Sequence, residues 1–277
     1  GLKCGRGQFF KQTFIKFVIQ ILSMGKIIAL GGGEIGRPHE NGGFYPVETT
    51  SIDKEIIKQT GKSNPKLLFI PTASNDSEGY FQVVKKHFSK LGCKVDVLYL
   101  IKDKLSKKQI EDKLLSTDII YVGGGNTLKM MTLWRKMGVD NILRKAHKKG
   151  IVLSGLSAGS ICWFKCGNSD SRKFTSGSNK LIKVTGLGLI NALHCPHYDA
   201  EEHRQSDLKR MMKTTSKIVS IALENCCAIE VIDNKFRIIK SKPNAKAHKI
   251  FWKGGKYFKE DILSKKEFED LDMLLNK

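Results

Sequence analysis

Acidic side chains are in short supply in this chain of 277 residues. Against 48 Lys and Arg stand only 27 Asp and Glu, which leaves a formal charge of +21. Such an excess invites a nucleic-acid reading. The lysines, however, are spread over the whole chain, no aromatic residues interleave the basic runs, and no RNA-binding signature is present. The expectation is a Lys-rich solvated surface that attracts small anions, with no specific nucleic-acid partner. Long apolar runs are lacking too. The N-terminal stretch from Phe14 to Leu22 is broken by Lys16 and Gln20. It is too short to cross a bilayer and has no small-residue cleavage site, so no membrane partner is expected. Residues 1–23 read as an upstream extension ahead of a natural start at Met24, and residues 24–277 as one α/β domain. The cysteines do not pair. Cys4, Cys93, Cys162, Cys166, Cys195, Cys226 and Cys227 are odd in number and scattered, without the spacing of a structural zinc site. They imply reduced thiols in the cytoplasm and no metal. Repeats and low-complexity tracts are absent.

What is present is an alternation of short apolar runs with helix-periodic segments. Lys26–Leu30, Leu67–Ile70, Val95–Leu100, Ile119–Val122 and Ile151–Leu153 read as strands. Residues 51–60, 77–91, 105–116 and 127–149 read as helices, the last with a break near Gly138. Five strand–helix units in series predict a mostly parallel sheet with helices on both faces, a flavodoxin-like arrangement. Beyond residue 170 the pattern changes. Residues 167–180 read as a loop and 201–217 as a charged helix. Ser220–Leu223, Ala228–Ile232, Phe236–Ile239 and Lys249–Trp252 read as strands, some antiparallel, and residues 259–276 as a closing helix. The fold class is therefore α/β with a C-terminal antiparallel extension.

Sites in parallel α/β sheets lie at the carboxyl ends of the strands. Gly31–Gly33, Pro71–Ser74, Gly123–Asn126 and Ser157 all fall there. The stretch Gly155-Leu156-Ser157-Ala158-Gly159 is G-x-S-x-G between a strand and a segment, Ile161–Phe164, that can continue as a helix. In that context the motif lifts a nucleophile onto a sharp turn. Ser157 is thus the candidate nucleophile. A serine needs a base, and the base needs a group that orients it. His197, set by Pro196, is the candidate base. Glu224, following a strand-like run, is the candidate acid, with Asp170 as the alternative. The backbone N–H groups of Ala158 and Gly124 are candidates for an oxyanion hole. Gly31-Gly32-Gly33-Glu34-Ile35-Gly36 matches a dinucleotide fingerprint, but Pro38, Asn41, Gly42 and Gly43 follow where a helix must start. No cofactor is expected.

These segments carry a resemblance. Gly155–Ser160, with Val122–Thr127 upstream, Pro196-His197-Tyr198 and Leu223-Glu224-Asn225, resembles the peptidase E (aspartyl dipeptidase) and cyanophycinase family of serine peptidases over about residues 26–250. The resemblance implies a fold related to class I glutamine amidotransferases, with serine in place of their elbow cysteine. It implies hydrolysis of small peptides through a Ser-His-acid mechanism. It also implies substrate contacts from Asn126 and Arg172, the latter to an acidic side chain, and allows a homodimer. The order Ser, His, Glu separates this chain from α/β-hydrolases, where the acid precedes the histidine.

Overall fold

The computed structural model describes residues 25–200 and 202–277; the expected extension 1–23 and the start at Met24 lie outside the described residues. In chain order the elements are β1 (Lys26–Leu30), α1 (Thr50–Lys58), β2 (Lys66–Ile70), α2 (Glu78–Lys90), β3 (Lys94–Val97), α3 (Lys107–Leu115), β4 (Ile119–Val122), α4 (Thr127–Met137) and α5 (Val139–Lys148). They continue with β5 (Val152–Leu156), α6 (Ala158–Ile161), β6 (Phe164–Ser169), α7 (Lys173–Ser176), β7 (Ile182–Thr185), β8 (Ile190–Cys195), α8 (Glu202–Thr214) and β9 (Ser220–Leu223). The chain closes with β10 (Cys227–Ile232), β11 (Lys235–Lys240), β12 (Ala247–Lys253), β13 (Lys256–Ile262), β14 (Glu269–Asp270) and α9 (Leu271–Leu275).

The first sheet has the order β14-β11-β10-β1-β5-β4-β2-β3. β1, β5, β4, β2 and β3 run parallel, and β10 joins β1 antiparallel with Leu30 opposite Ala228. Its strands are apolar on both faces because both faces are covered. Ile27 and Ala29 of β1, Leu68 and Ile70 of β2, and Ile120 and Val122 of β4 enter one core with α3, α4 and α5. Their neighbours Ile28, Leu30, Leu67, Phe69, Ile119 and Tyr121 enter the other core, with α1 and α2. The period of two thus sorts alternate residues to two helical layers. The expected break in the 127–149 helix is real: Gly138, at φ 74°, ends α4 and starts α5.

Three features differ from expectation. First, the segment after the Ser157 turn does not continue as a helix; α6 stops at Ile161, and Phe164–Ser169 is strand β6. Secondly, β6 belongs to a second sheet, ordered β13-β12-β9-β8-β6-β7, while β10, β11 and β14 extend the first sheet antiparallel. Val184, Ile190, Ile221 and Phe251 of this sheet share a core with Ile27 and Leu153 of the first. Leu208 and Met212 of α8 cover its far side against Leu193 and Ile250. Thirdly, the expected closing helix is replaced for most of its length by the end of β13, an irregular segment and β14. Gly254 (φ 57°) and Gly255 (φ 74°) make a two-residue turn that pairs β12 with β13 from Lys253↔Lys256 to Ala247↔Ile262. Such primed turns need positive φ at both positions. The pairing stacks Phe251 on Phe258, centroids 5.0 Å apart, and only Leu271–Leu275 remains helical.

Candidate active site

β5 ends at Leu156 between the ends of β1 and β4, and the chain reverses at once into α6. Ser157 makes the turn with φ 56° and ψ −116°, a conformation that costs a non-glycine residue of order 1–3 kcal/mol. The turn is held from several sides. Ser157 N donates to Leu30 O (3.4 Å), and Ser160 N and Ile161 N donate to Ser157 O, both at 3.0 Å. α6 is pressed onto β4: a Cβ built on Gly159 would stand 2.0 Å from Val122 O. No larger residue fits without displacing backbone, which is why the second glycine of the motif is required here.

His197 follows β8, itself at φ 51°. Its N–H donates to Gly31 O (2.9 Å), so the end of β1 fixes the end of β8. Its Nδ1 lies 2.7 Å from Oδ1 of Asn225. Asn225 follows β9, and its own N–H donates to Asp199 Oδ1 (2.8 Å). Next to it, Cys226 N donates to Gly32 O (2.9 Å). Gly32 is the floor under this pair: a Cβ there would lie 2.1 Å from Asn225 Oδ1 and 2.4 Å from the His197 ring. The glycine run at the end of β1 therefore serves a close approach to an imidazole. No helix begins there to hold a pyrophosphate; the run passes into a loop closed by the bridges Ile35↔Val47 and Pro38↔Phe44.

Ser157, His197 and Asn225 open onto one cavity of about 640 Å³, whose other wall carries Tyr80, Glu34 and Arg37. Charge in this wall is paired. Arg37 Nε meets Glu34 Oε2 at 2.6 Å, and the Arg37 guanidinium lies 4.7 Å from the Tyr45 ring centroid. Glu48 accepts from Glu34 N (3.0 Å) and from Lys242. The Lys242 bond, the largest influence, holds the Glu48 carboxyl below the usual carboxylate range.

Behind the nucleophile lies a second Ser–His pair. Ser160 Oγ is 2.7 Å from Ser157 O and 2.8 Å from His194 Nε2, and His194 Nδ1 is 3.0 Å from Ile221 O. His194 is fully buried and stacks on Phe164. Burial pushes the imidazole down to about 3; the Ile221 carbonyl opposes this and the charges of His197 and Arg204 add to it. It is therefore neutral, with its proton on Nδ1 donating to the Ile221 carbonyl and its Nε2 lone pair facing the Ser160 hydroxyl, whose single proton lies between that nitrogen and Ser157 O.

The expected site residues are only partly brought together. Ser157 and His197 share the cavity. Glu224 does not stand at Nδ1 of His197; it points the opposite way, accepting from Lys246 N (2.8 Å) and lying 3.4 Å from His248 Nε2. β9 ends at Leu223 and the chain turns at Asn225 and Cys226, the latter at φ 62°, and this turn brings Asn225 to the place expected of Glu224. Asp170 and Arg172 belong to the α7 turn, where the Asp170 carbonyl accepts from Lys173 N and the Arg172 carbonyl from Ser176 N; neither lines the cavity. Asn126 is committed to structure: its Oδ1 caps α4 through Lys129 N (3.0 Å), and its Nδ2 donates to Ser171 O (3.5 Å). Ala158 is the first residue of α6, where N–H groups have no intrahelical acceptor. Gly124 lies against the nucleophile, but its N–H donates to Tyr80 Oη (3.2 Å). Tyr80, Asn225, Glu34, Arg37 and Glu48 were not legible as site residues. Only Asn225 carried a signal, its position beside Glu224 at a strand end.

Known proteins resemble this arrangement of sequence and fold. The sequence profile of peptidase family S51 matches residues 41–239. An uncharacterized peptidase of Bacillus subtilis, YgaJ, is 35% identical over 228 residues, which is 82% of this chain and 92% of that protein. Peptidase E of Shewanella denitrificans is 31% identical over 108 residues, 38% of this chain and 43% of that protein. Among solved structures, a peptidase from an acI-B1 Actinobacterium superposes with a TM-score of 0.65 at 17% identity, covering 90% of this chain and 98% of that one. A putative peptidase E protein of Listeria monocytogenes gives 0.55 at 22% identity, covering 78% and 98%. These two structures share the fold.

Proposed function

The chain belongs to peptidase family S51 and is a serine-type peptidase, and from that premise we propose that it hydrolyses small peptides through an acyl-enzyme on Ser157. His197 is the general base and Asn225 the group that orients it. The observation that carries this reading is the 2.7 Å contact of His197 Nδ1 with Asn225 Oδ1, on the wall of the cavity that holds the strained Ser157. A carbonyl oxygen at Nδ1 keeps the proton on that nitrogen and the lone pair on Nε2. Nε2 takes the Ser157 proton as Oγ bonds to the peptide carbonyl carbon, and returns it to the leaving amine. Water then repeats the sequence and frees Ser157. The Ala158 N–H faces the oxyanion. A cavity of about 640 Å³ falls in the range of small-molecule sites and suits a dipeptide-sized substrate. The six described cysteines are free thiols, which fits a reducing compartment such as the cytoplasm.

A dipeptide library provides the test, with Ser157→Ala as blank. Loss of the nucleophile lowers turnover about 10⁶-fold where such triads operate; undiminished hydrolysis by the variant removes the proposal. A second reading, a catalytically idle or esterase-like relative binding a small ligand in the same cleft, draws on the neutral amide at position 225. An amide stabilises an imidazolium less than a carboxylate does. Turnover of esters but not of dipeptides, or failure to react with a fluorophosphonate, favours that reading.

A further inference from the structure

The Gly124 N–H, expected as an oxyanion donor, is already engaged with the Tyr80 hydroxyl at 3.2 Å. That hydroxyl accepts from Gly124, and no acceptor among the described residues takes its own proton. Tyr80 is firmly placed. It sits in the first turn of α2, where its N–H donates to Ser77 Oγ (3.2 Å). Its ring meets Phe69 edge-on, centroids 5.1 Å apart. A Cβ built on Gly123 would lie 2.8 Å from Tyr80 Cε1, so the phenol is seated directly on the end of β4. On the other side, a Cβ built on Gly124 would lie 3.3 Å from Ser157 Cβ. One glycine therefore separates the hydroxyl from the nucleophile, and both face the same cavity.

We infer that Tyr80 is a catalytic residue whose hydroxyl, held and polarised by Gly124 N–H, donates to the scissile carbonyl oxygen as it becomes an oxyanion. The inference rests on the Ser157 reading and deepens it. Preorganised donors aimed at developing charge are a large source of rate, and an O–H donor to an anionic oxygen makes a short, strong bond. Burial pushes the phenol up to about 12, so it keeps its proton throughout the neutral range. A hydroxyl that already accepts one hydrogen bond is a better donor for the next.

Reaction of Ser157 with a fluorophosphonate probe, whose phosphoryl oxygen occupies the same donor site, tests the idea on the full chain. Tyr80→Phe keeps the ring and removes only the hydroxyl. Its labelling rate constant is expected to fall about 100- to 1000-fold with an unchanged thermal midpoint. A merely structural tyrosine lowers the midpoint and leaves the rate alone. Labelling of Tyr80→Phe at the wild-type rate or faster, with Ser157→Ala silent, overturns the role of Tyr80 and spares that of Ser157. Failure of the wild type itself to label overturns both. Should Tyr80→Phe not fold, 3-fluorotyrosine at position 80 keeps the contacts and sharpens the donor. Faster labelling is then expected, and an unchanged rate refutes the inference.

Discussion

At the residue level the proposed chemistry turns on Asn225. It presents a neutral oxygen to His197, in a position where a carboxylate would favour the imidazolium formed as Ser157 loses its proton. Asn225→Asp is accordingly expected to raise kcat/KM for dipeptides about tenfold or more, the equivalent of one pKa unit or more of added stabilisation. The sign of its pH effect follows from the same contact. A carboxylate raises the affinity of the imidazole for a proton, and the base must be neutral to act, so the acid limb of the rate profile moves to higher pH. A rate profile that does not move, with no gain in kcat/KM, removes Asn225 from the catalytic group. Glu224 provides the contrast. Its carboxylate serves Lys246 N and His248, so Glu224→Gln is expected to change kcat/KM less than about twofold, as surface changes away from a site generally do. That the site would hold a histidine from the 194–198 segment and a partner from 223–225 was legible in the sequence. Which of two neighbouring side chains turns inward was not, because the turn after β9, with Cys226 at φ 62°, sets it.

At the scale of elements, the elbow depends on α6 lying closely against β4 and on the buried pair beneath it. Gly159→Ala drives a Cβ to within 2.0 Å of Val122 O. Overpacking of this kind costs typically 1–3 kcal/mol, and denaturant unfolding should show it, with a lowered labelling rate of Ser157. The strand–turn–helix motif announced Ser157, yet the stop of α6 at Ile161 was hidden, since Cys162, Trp163 and Phe164 suit a buried helix or strand equally. What decided was partnership: β6 pairs with β7 and β8. Below Ser157, His194 gives the second sheet a predictable acid sensitivity. Burial lowers its proton affinity in the folded state, to about 3, from the ordinary 6.5. Below about pH 6.5 the unfolded chain therefore binds the extra proton, and stability falls with pH until about pH 3. Between pH 7 and pH 5 the loss from this group is roughly 2 kcal/mol at 1.36 kcal/mol per unit. Urea titrations of the wild type and of His194→Gln at both pH values measure it, and an equal loss in the variant assigns the effect elsewhere.

Over the whole molecule two properties matter, the shared core and the charge. Residues of both sheets pack into one apolar cluster, with Leu153 and Ile27 from the first and Ile221 and Phe251 from the second. The two sheets are therefore expected to unfold together. Trp134 and Trp163, both fully buried, should report the same denaturation midpoint as far-ultraviolet circular dichroism; separated midpoints would divide the chain into independently stable units. The formal charge of +21 raises the local concentration of anions, an effect that salt screens over a Debye length of roughly 10 Å at 0.1 M. For a dipeptide of net negative charge, kcat/KM is expected to fall several-fold between 0.02 M and 0.5 M salt. A neutral dipeptide should be unaffected, and an equal response of the two would trace the salt effect to something other than the global field.

The α/β alternation, the strand-end placement of the glycine runs and the elbow that carries Ser157 could all be read along the chain. These are local matters of period, φ and side-chain size. What waited on the folded chain was that β6 to β9 join β12 and β13 in a second sheet and that Asn225 rather than Glu224 meets His197. The fold also brought the Tyr80 hydroxyl to the Gly124 N–H. Each of these depends on groups from distant segments meeting in the fold, and no spacing along the chain encodes such a meeting.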